Sequence, residues 1–418
     1  MHYKRLLTLI DSVSSYLSVG LDVGADFTWM SIALPNGSFI GKPFKIVHSD
    51  PRSRDLAVAK IKEAQETYSL KSRCFLESTG IYHIPLLCFL RDKGFDCSVI
   101  NPIITKNSTN INIRKLHNDK FDSKKAALVG LNVSLKTSII PDDSVVDLRN
   151  LVRDYYYFKD LQSAVALKLT AELKVSFPAY AKVFSKVTTQ SSLKLLSSYP
   201  LAEDMLAASK DDIVKIIRST ARFGEAYALR KYDTIIAAAQ DAAVFGRALP
   251  SNAVRIRLYI DTYQEYQKHL DALLKALHET VEKLQDTLIY DQICLLQSLR
   301  GIGFLSAIVL IAEMGDFKLF SSPKKLYAYF GLDPAVKQSG KLNGDKVHMS
   351  KRGSPYLRRA IWLAATIAAF KDPSISVYYQ RKRSEGKSHL TALGHVSRKM
   401  VNIIFAVLRD NTPYSPAI

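Results

Sequence analysis

Ser18-Val19-Gly20-Leu21-Asp22-Val23-Gly24 reads as an apolar β-strand with an acid inside it. An unpaired buried carboxylate costs several kcal/mol, so Asp22 requires a cation, a network of donors or a raised pKa. Gly24, just after it, lets the backbone and anything bound there come close. Phe27 to Leu34 has the character of a hairpin partner, and Pro35-Asn36-Gly37 turns the chain into a third strand from Ser38. A chain that opens this way must build a sheet whose core tolerates one charge.

Helical periodicity covers Arg52 to Ser69. Arg73-Cys74-Phe75-Leu76-Glu77 predicts the next strand, ending on an acid and followed by Ser78-Thr79-Gly80 and a helix from Tyr82 to Lys93. Open α/β sheets place their sites at strand ends of this kind. Asp96 to Ile100 predicts a further strand, closed by Asn101-Pro102, and a basic, polar loop from Thr105 to Leu116 follows. Then comes His117-Asn118-Asp119-Lys120-Phe121-Asp122-Ser123-Lys124-Lys125-Ala126-Ala127, of helix-forming composition, with Asp119 and Asp122 three apart on one face. An acidic pair on an exposed helix is ordinarily a solvated face. With Asp22 and Glu77 upstream, the four acids instead suit a hard divalent cation placed where a phosphate backbone can approach, flanked by Lys120, Lys124 and Lys125. The order of elements matches an RNase H-like α/β domain whose acids meet at the centre of the sheet. Four carboxylates can hold two Mg2+ ions about 4 Å apart, clamping the attacking and leaving oxygens of a phosphodiester. Asp26, Asp92 and Asp96 fall in loops or at helix ends and read as surface.

Gly20-Leu21-Asp22-Val23, Glu77-Ser78-Thr79-Gly80 with Tyr82, and Asp119-Lys120-Phe121-Asp122 resemble the RuvC-like domain of the DEDD transposases. These are insertion-sequence recombinases associated with a bridge RNA and related to the pilin-gene invertase Piv. The family's last motif usually reads Lys-Thr-Asp-x-x-Asp-Ala; here both acids stand and the flanking residues differ, Ser123 replacing the alanine.

Lys plus Arg outnumber Asp plus Glu by 58 to 39 in 418 residues, a net charge of +19 that favours a polyanionic partner, nucleic acid by default. Cys74, Cys88, Cys97 and Cys294 lack CxxC spacing and zinc-finger histidines and read as buried thiols of a reducing cytoplasm. The N-terminal stretch reads as neither a convincing signal peptide nor a membrane span, and the apolar run Ala360 to Phe370 is too short to cross a bilayer and reads as a buried helix.

Pro141-Asp142-Asp143 marks a boundary, with Asp142 or Ser144 available as an N-cap. Val145 to Val175 is helical in pattern and ends at Phe177-Pro178; its cluster Tyr155-Tyr156-Tyr157-Phe158 reads as core, with stacking on RNA bases the alternative. Small helices follow, and Val254 to Leu288 is a long helical stretch expected to form a coiled coil or helical hairpin with Leu151 to Lys174. The expected domains are 1–143 (RuvC-like), 144–290 (helical linker and dimerisation region) and 291–418 (C-terminal, all helical).

Leu299-Arg300-Gly301-Ile302-Gly303 before the apolar helix Phe304 to Met314 resembles a helix-hairpin-helix turn, in which Arg300, Gly301 and Gly303 would face a phosphate. The run on through Leu326-Tyr327-Ala328-Tyr329-Phe330-Gly331-Leu332-Asp333-Pro334 resembles the C-terminal domain of the same family, and Gln338-Ser339-Gly340 is that family's distinctive feature. Lys337 and Lys341 flank it; Lys346, His348, Lys351, Arg352, Arg358 and Arg359 form a basic segment, with the family's Ser-Lys-x-Gly followed by Leu-Arg, suited to phosphate contact.

The resemblance implies a mobile-element recombinase in which Asp22, Glu77, Asp119 and Asp122 hold Mg2+ and Ser339 attacks DNA to give a transient phosphoserine link. It also implies double-stranded donor and target DNA, a noncoding bridge RNA, a homodimer or homotetramer, and a prokaryotic, nucleoid-associated cytoplasmic setting. The competing readings are a junction endonuclease or DNA invertase, and a non-catalytic nucleic-acid-binding scaffold.

Overall fold

The computed structural model describes residues 16–77, 82–100, 119–132, 142–220, 224–335, 338–339, 342–343 and 348–416. The chain divides into two units, residues 1–140 and 141–418.

The first unit contains β1 (Tyr16–Val23), β2 (Phe27–Ala33), β3 (Phe39–Val47), α1 (Pro51–Tyr68), β4 (Lys71–Glu77), α2 (His83–Asp92), β5 (Asp96–Ile100) and α3 (Asp119–Asn132). Among the described residues these strands form one five-stranded sheet in the order β3-β2-β1-β4-β5. β1 pairs antiparallel with β2 and parallel with β4, and β4 pairs parallel with β5. The expected mixed sheet therefore forms, with each strand within two residues of its expected start.

Alternation along β1 decides what each face does. Leu17, Val19, Leu21 and Val23 point to one side, into a core with Ala57, Val58 and Ile61 of α1 and Leu86, Leu87 and Leu90 of α2. Ser18, Gly20 and Asp22 point to the other side, which α3 covers. Ser18 Oγ donates to the Ala127 carbonyl at 2.6 Å and Tyr16 Oη to the Gly130 carbonyl at 2.7 Å. Gly20 is obligatory here: a methyl group on it would stand 2.1 Å from the Ser123 carbonyl oxygen and 2.2 Å from the Ala127 nitrogen. Helix and strand backbones thus approach as closely as atoms allow, and the helix cannot slide. Asp96, expected as plain surface, instead opens β5 and accepts from Arg73 Nε at 2.7 Å.

The second unit is built on two long helices, α4 (Asp143–Ser176) and α5 (Pro250–Glu282). Asp142 caps α4 by accepting from the Ser144 amide at 2.8 Å. The two helices pack along each other: Gln162 Nε2 donates to Gln267 Oε1 at 2.9 Å, and the Phe158 ring lies 5.0 Å from that of His269. The long helix expected to reach Leu288 stops at Glu282, because Asp286 takes a left-handed φ of 66° and Thr287 caps a new helix, α6 (Leu288–Gln297). One core, from Leu169 to Ile260, lies between these helices and those that join them, among them the 21-residue helix Glu225–Phe245 where only small helices were expected. The other gathers Leu148, Val152, Leu277 and Val281 with α7 (Phe304–Met314), α8 (Pro323–Phe330), α9 (Pro355–Lys371), α10 (Pro373–Ser384) and α11 (His389–Asp410).

Three further expectations need correction. The run Ala360 to Phe370 is not wholly buried: within α9 it winds around the helix, so Ala364, Ala365 and Ala368 face the core while Leu363, Ile367 and Phe370 are about half exposed. Only Cys74 and Cys97 are buried; Cys88 is half-buried, and Cys294 falls on the outward side of α6. The aromatic cluster splits likewise: Tyr156 is core, whereas Tyr157 stands 60 % exposed. Among the described residues no helix is long and apolar enough to cross a membrane.

Candidate active site

The α3 side of β1 brings the acids together. Ser123 sits over Gly20, so the turn of α3 that precedes it, with Asp119 and Asp122, lies toward Asp22, two residues farther along the strand. Glu77 arrives from β4: Leu21 is in register with Leu76, and the next position on each strand is an acid. Two carboxylates at the carboxyl ends of adjacent parallel strands meet two from the first turn of a helix, whose N-terminal dipole favours negative charge. Asp22, Val23, Gly24, Ala25, Phe27, Tyr82 and Asp119 line an open cleft of about 420 Å3.

The electrostatics record this convergence. Burial, and then the charges of Asp122, Asp119 and Glu77, raise the Asp22 carboxyl to about 7, while Lys125 pulls the other way. The neighbouring lysines are held locally rather than fanned toward a ligand. Lys125 Nζ lies 2.6 Å from Asp122 Oδ1, Lys120 Nζ covers the Trp29 ring at 4.6 Å, and Lys124 Nζ covers Phe39 at 4.9 Å. Ser123 is buried; its hydroxyl bonds Ser31 Oγ at 2.8 Å and fixes the start of α3 to β2.

As they stand, no three acids among the described residues converge tightly enough to enclose an ion. The donor set nevertheless fits a hard divalent cation: the candidate ligands are all carboxylate oxygens, and it is burial first, then the charges of the other three acids, that lifts Asp22. A titration follows from this. Unfolded, Asp22 releases its proton near 3.8; folded, it holds the proton until about 7. The folded chain binds the extra proton in that window, so this group's contribution to stability falls as pH rises through it. In metal-free buffer, Asp22→Asn is expected to gain thermal stability over wild type progressively from pH 5 to pH 8. Mg2+ added at pH 8 is expected to raise the melting temperature of wild type and to leave Asp22→Asn nearly unchanged. Parallel pH profiles for the two proteins would contradict the assignment.

A transposase model of the DEDD class matches residues 19–178, which include all four acids. The transposase model of the IS116/IS110/IS902 family matches residues 294–380, and the two together span more than half of the chain. The chain belongs to the IS116/IS110/IS902 transposase family. Transposase chemistry is the breakage and rejoining of DNA strands. The chain is 27 % identical over 305 residues to a 42 kDa protein of insertion element IS900 from Mycobacterium paratuberculosis, an alignment covering 71 % of this chain and 73 % of that one. It is 38 % identical over 120 residues to an insertion element IS110 protein of Streptomyces coelicolor, covering 28 % and 29 %. The pilin gene-inverting protein of Moraxella bovis is 31 % identical over 125 residues, covering 30 % and 39 %.

The second match holds the transposase's other candidate residues. Gln338–Ser339 pairs antiparallel with Leu342–Asn343, Ser339 opposite Leu342. Lys337, Lys341 and Lys346 lie outside the described residues. Of the candidate phosphate ligands, Lys351 and Arg352 are exposed, Lys351 with a left-handed φ of 54°. Arg358 is turned inward, its Nη1 3.4 Å from the carbonyls of Phe330 and Gly353. Arg300 donates to the Lys371 carbonyl at 3.0 Å. Gly301 packs against α9, where a methyl group would stand 2.4 Å from the Ala364 carbonyl oxygen, whereas Gly303 opens α7 with free space around it.

The sequence reading missed Glu313. It is 3 % exposed and accepts from Arg153 Nε at 2.6 Å and from Ser354 Oγ at 2.9 Å, while Tyr329 Oη donates to its backbone carbonyl at 3.0 Å. The buried carboxylate ties α4 and α7 to the loop that presents Lys351 and Arg352, and the backbone carbonyl of the same residue holds α8. Its signal was an acid inside an apolar helix, the same kind of signal that Asp22 gives in its strand.

Proposed function

We propose that this transposase cuts and rejoins the DNA of a mobile element through a serine nucleophile. Ser339 Oγ attacks a backbone phosphorus; the new O–P bond forms as one ester P–O bond of the DNA breaks. The serine proton passes to solvent, and the departing DNA oxygen leaves with the bonding pair and is protonated. A second DNA hydroxyl reverses the step, releasing Ser339 and joining the strands. Each exchange replaces one phosphate ester by another, so no ATP is required.

Asp22, Glu77, Asp119 and Asp122 would hold the divalent cations. Bound Mg2+ at such a site supplies Lewis-acid polarisation of phosphate oxygens. The observation that carries this reading is the gathering of the four acids at the ends of β1 and β4 and the start of α3, within a transposase match. The second match, which contains Gln338-Ser339-Gly340, supports the serine. The net charge of +19 suits both DNA and a noncoding guide RNA. α4 and α5 serve as the dimerisation scaffold of a homodimer or tetramer, in a three-domain plan of 1–143, 144–290 and 291–418. The Leu299 to Gly303 turn and the exposed pair Lys351 and Arg352 bind the DNA backbone.

A second reading, site-specific inversion of DNA, is supported by the likeness to the pilin gene-inverting protein and uses the same chemistry. Hydrolytic cleavage of junctions is the mechanistic rival. The protein with its copurifying RNA is incubated with Mg2+ and DNA spanning its native flanks, then resolved on a denaturing gel. A DNA-linked protein band that is lost in both Ser339→Ala and Asp119→Ala is the expected result. Cleavage without such a band, undiminished in Ser339→Ala, would establish hydrolysis instead.

A further inference from the structure

The cleft beside the carboxylates has a second wall with no role in holding a cation. Tyr82 is 52 % exposed, although it opens α2, whose Leu86, Leu87 and Leu90 are buried. Its side chain makes no capping hydrogen bond with the helix. It lines the same cleft as Asp22 and Asp119, together with Phe27, Val23 and Ala25. The Phe27 ring is already covered on one side by Lys45 Nζ, 4.0 Å from its centroid. Tyr82 is therefore the large aromatic group of this wall most open to an incoming molecule.

A nucleotide has the same two-sided character as the cleft: a charged phosphate and a flat, weakly polar base. Asp22 is half-buried at a strand end, and a phosphate brought to it from an intact duplex would carry the whole helix with it. A strand whose base has left the stack can enter such a cleft, and an unstacked base needs a new π-face. We infer that Tyr82 contacts the substrate, its ring stacking on the unpaired nucleobase next to the phosphate handled by the carboxylates. The inference rests on the strand-breaking reading above and adds to it a requirement that the DNA open at the reacting step.

The phenol could instead act by donating a hydrogen bond to phosphate, and Tyr82→Phe separates the two roles. The test uses the full chain with its copurifying RNA and flank DNA carrying 2-aminopurine at each position beside the break mapped by covalent trapping. At one position, wild type and Tyr82→Phe are expected to hold the base unpaired yet quenched, and Tyr82→Ala to leave it bright. DNA capture by Tyr82→Ala is expected to weaken roughly ten- to a hundredfold, with Tyr82→Phe near wild type. Asp119→Ala, which cannot break the strand, is expected to keep the quenched signal. Equal fluorescence in wild type and Tyr82→Ala, or a Tyr82→Phe variant as impaired as Tyr82→Ala, would overturn the inference while leaving strand breakage intact. Failure of wild type to break the strand, with or without a linked product, would overturn the strand-breaking reading and this inference with it.

Discussion

Gly20→Ala is expected to release α3 from the sheet and to abolish strand breakage without touching an acid. The added methyl group would meet the Ser123 carbonyl and the Ala127 nitrogen at 2.1 and 2.2 Å, and neither is a side chain that can rotate away. Relief requires the helix to retreat by more than 1 Å, toward ordinary van der Waals separation. That movement breaks the Ser18–Ala127 and Ser31–Ser123 hydrogen bonds and loosens Ala126 and Val129 from Phe75 and Ile100. Overpacking of this kind costs about 1–3 kcal/mol, and each buried hydrogen bond lost adds about 1 kcal/mol, for a total of roughly 3–5 kcal/mol. Hydrogen exchange gives the decisive readout. Amides of β1 and α3 should lose protection in Gly20→Ala while those of α7 and α9, in the other unit, keep theirs. A variant with wild-type protection and activity would show that the close approach of β1 and α3 does not set the site.

Much of this site was legible from the chain because local rules and chemistry pointed the same way. An acid in an apolar strand, an acid at the next strand's end and a pair three apart on a helix each carry a local signal. What could not be read was distance in space. Gly20 and Ser123 are a hundred residues apart, and only their contact shows why residue 20 lacks a side chain. The lysines around Asp119 and Asp122 read as a surface awaiting phosphate, yet Lys125 pairs with Asp122 and the others lie over aromatic rings. The basic segment after Ser339 divides in the same way. Lys351 and Arg352 remain exposed, whereas Arg358 bonds carbonyls and Arg359 pairs with Asp160 of α4 at 2.8 Å. Charge on a linear sequence does not distinguish a side chain that binds a partner from one that satisfies its own fold.

Removal of a single carboxylate carries the second large effect. Asp22 is the acid most affected by the others, and Asp22→Asn keeps its shape while deleting one charge. The loss of one anionic ligand from a site of four should weaken divalent-cation binding by at least the 10- to 100-fold seen when outer-shell partners are changed. Strand breakage should fall by on the order of a thousandfold, the loss expected if the proposed site supplies charge stabilisation to the reacting phosphate. Asp119→Asn should behave alike. Asp26→Asn, in the turn between β1 and β2, should match wild type on both counts.

Titration of the full chain with Mn2+, followed by electron paramagnetic resonance and by strand breakage on the same samples, tests the cation site directly. Saturable Mn2+ binding that is lost in Asp22→Asn and Asp119→Asn, with breakage rising along the same curve, is the expected result. Equal Mn2+ binding in all three proteins, or strand breakage that persists in excess EDTA, would contradict the assignment of these acids as the catalytic centre.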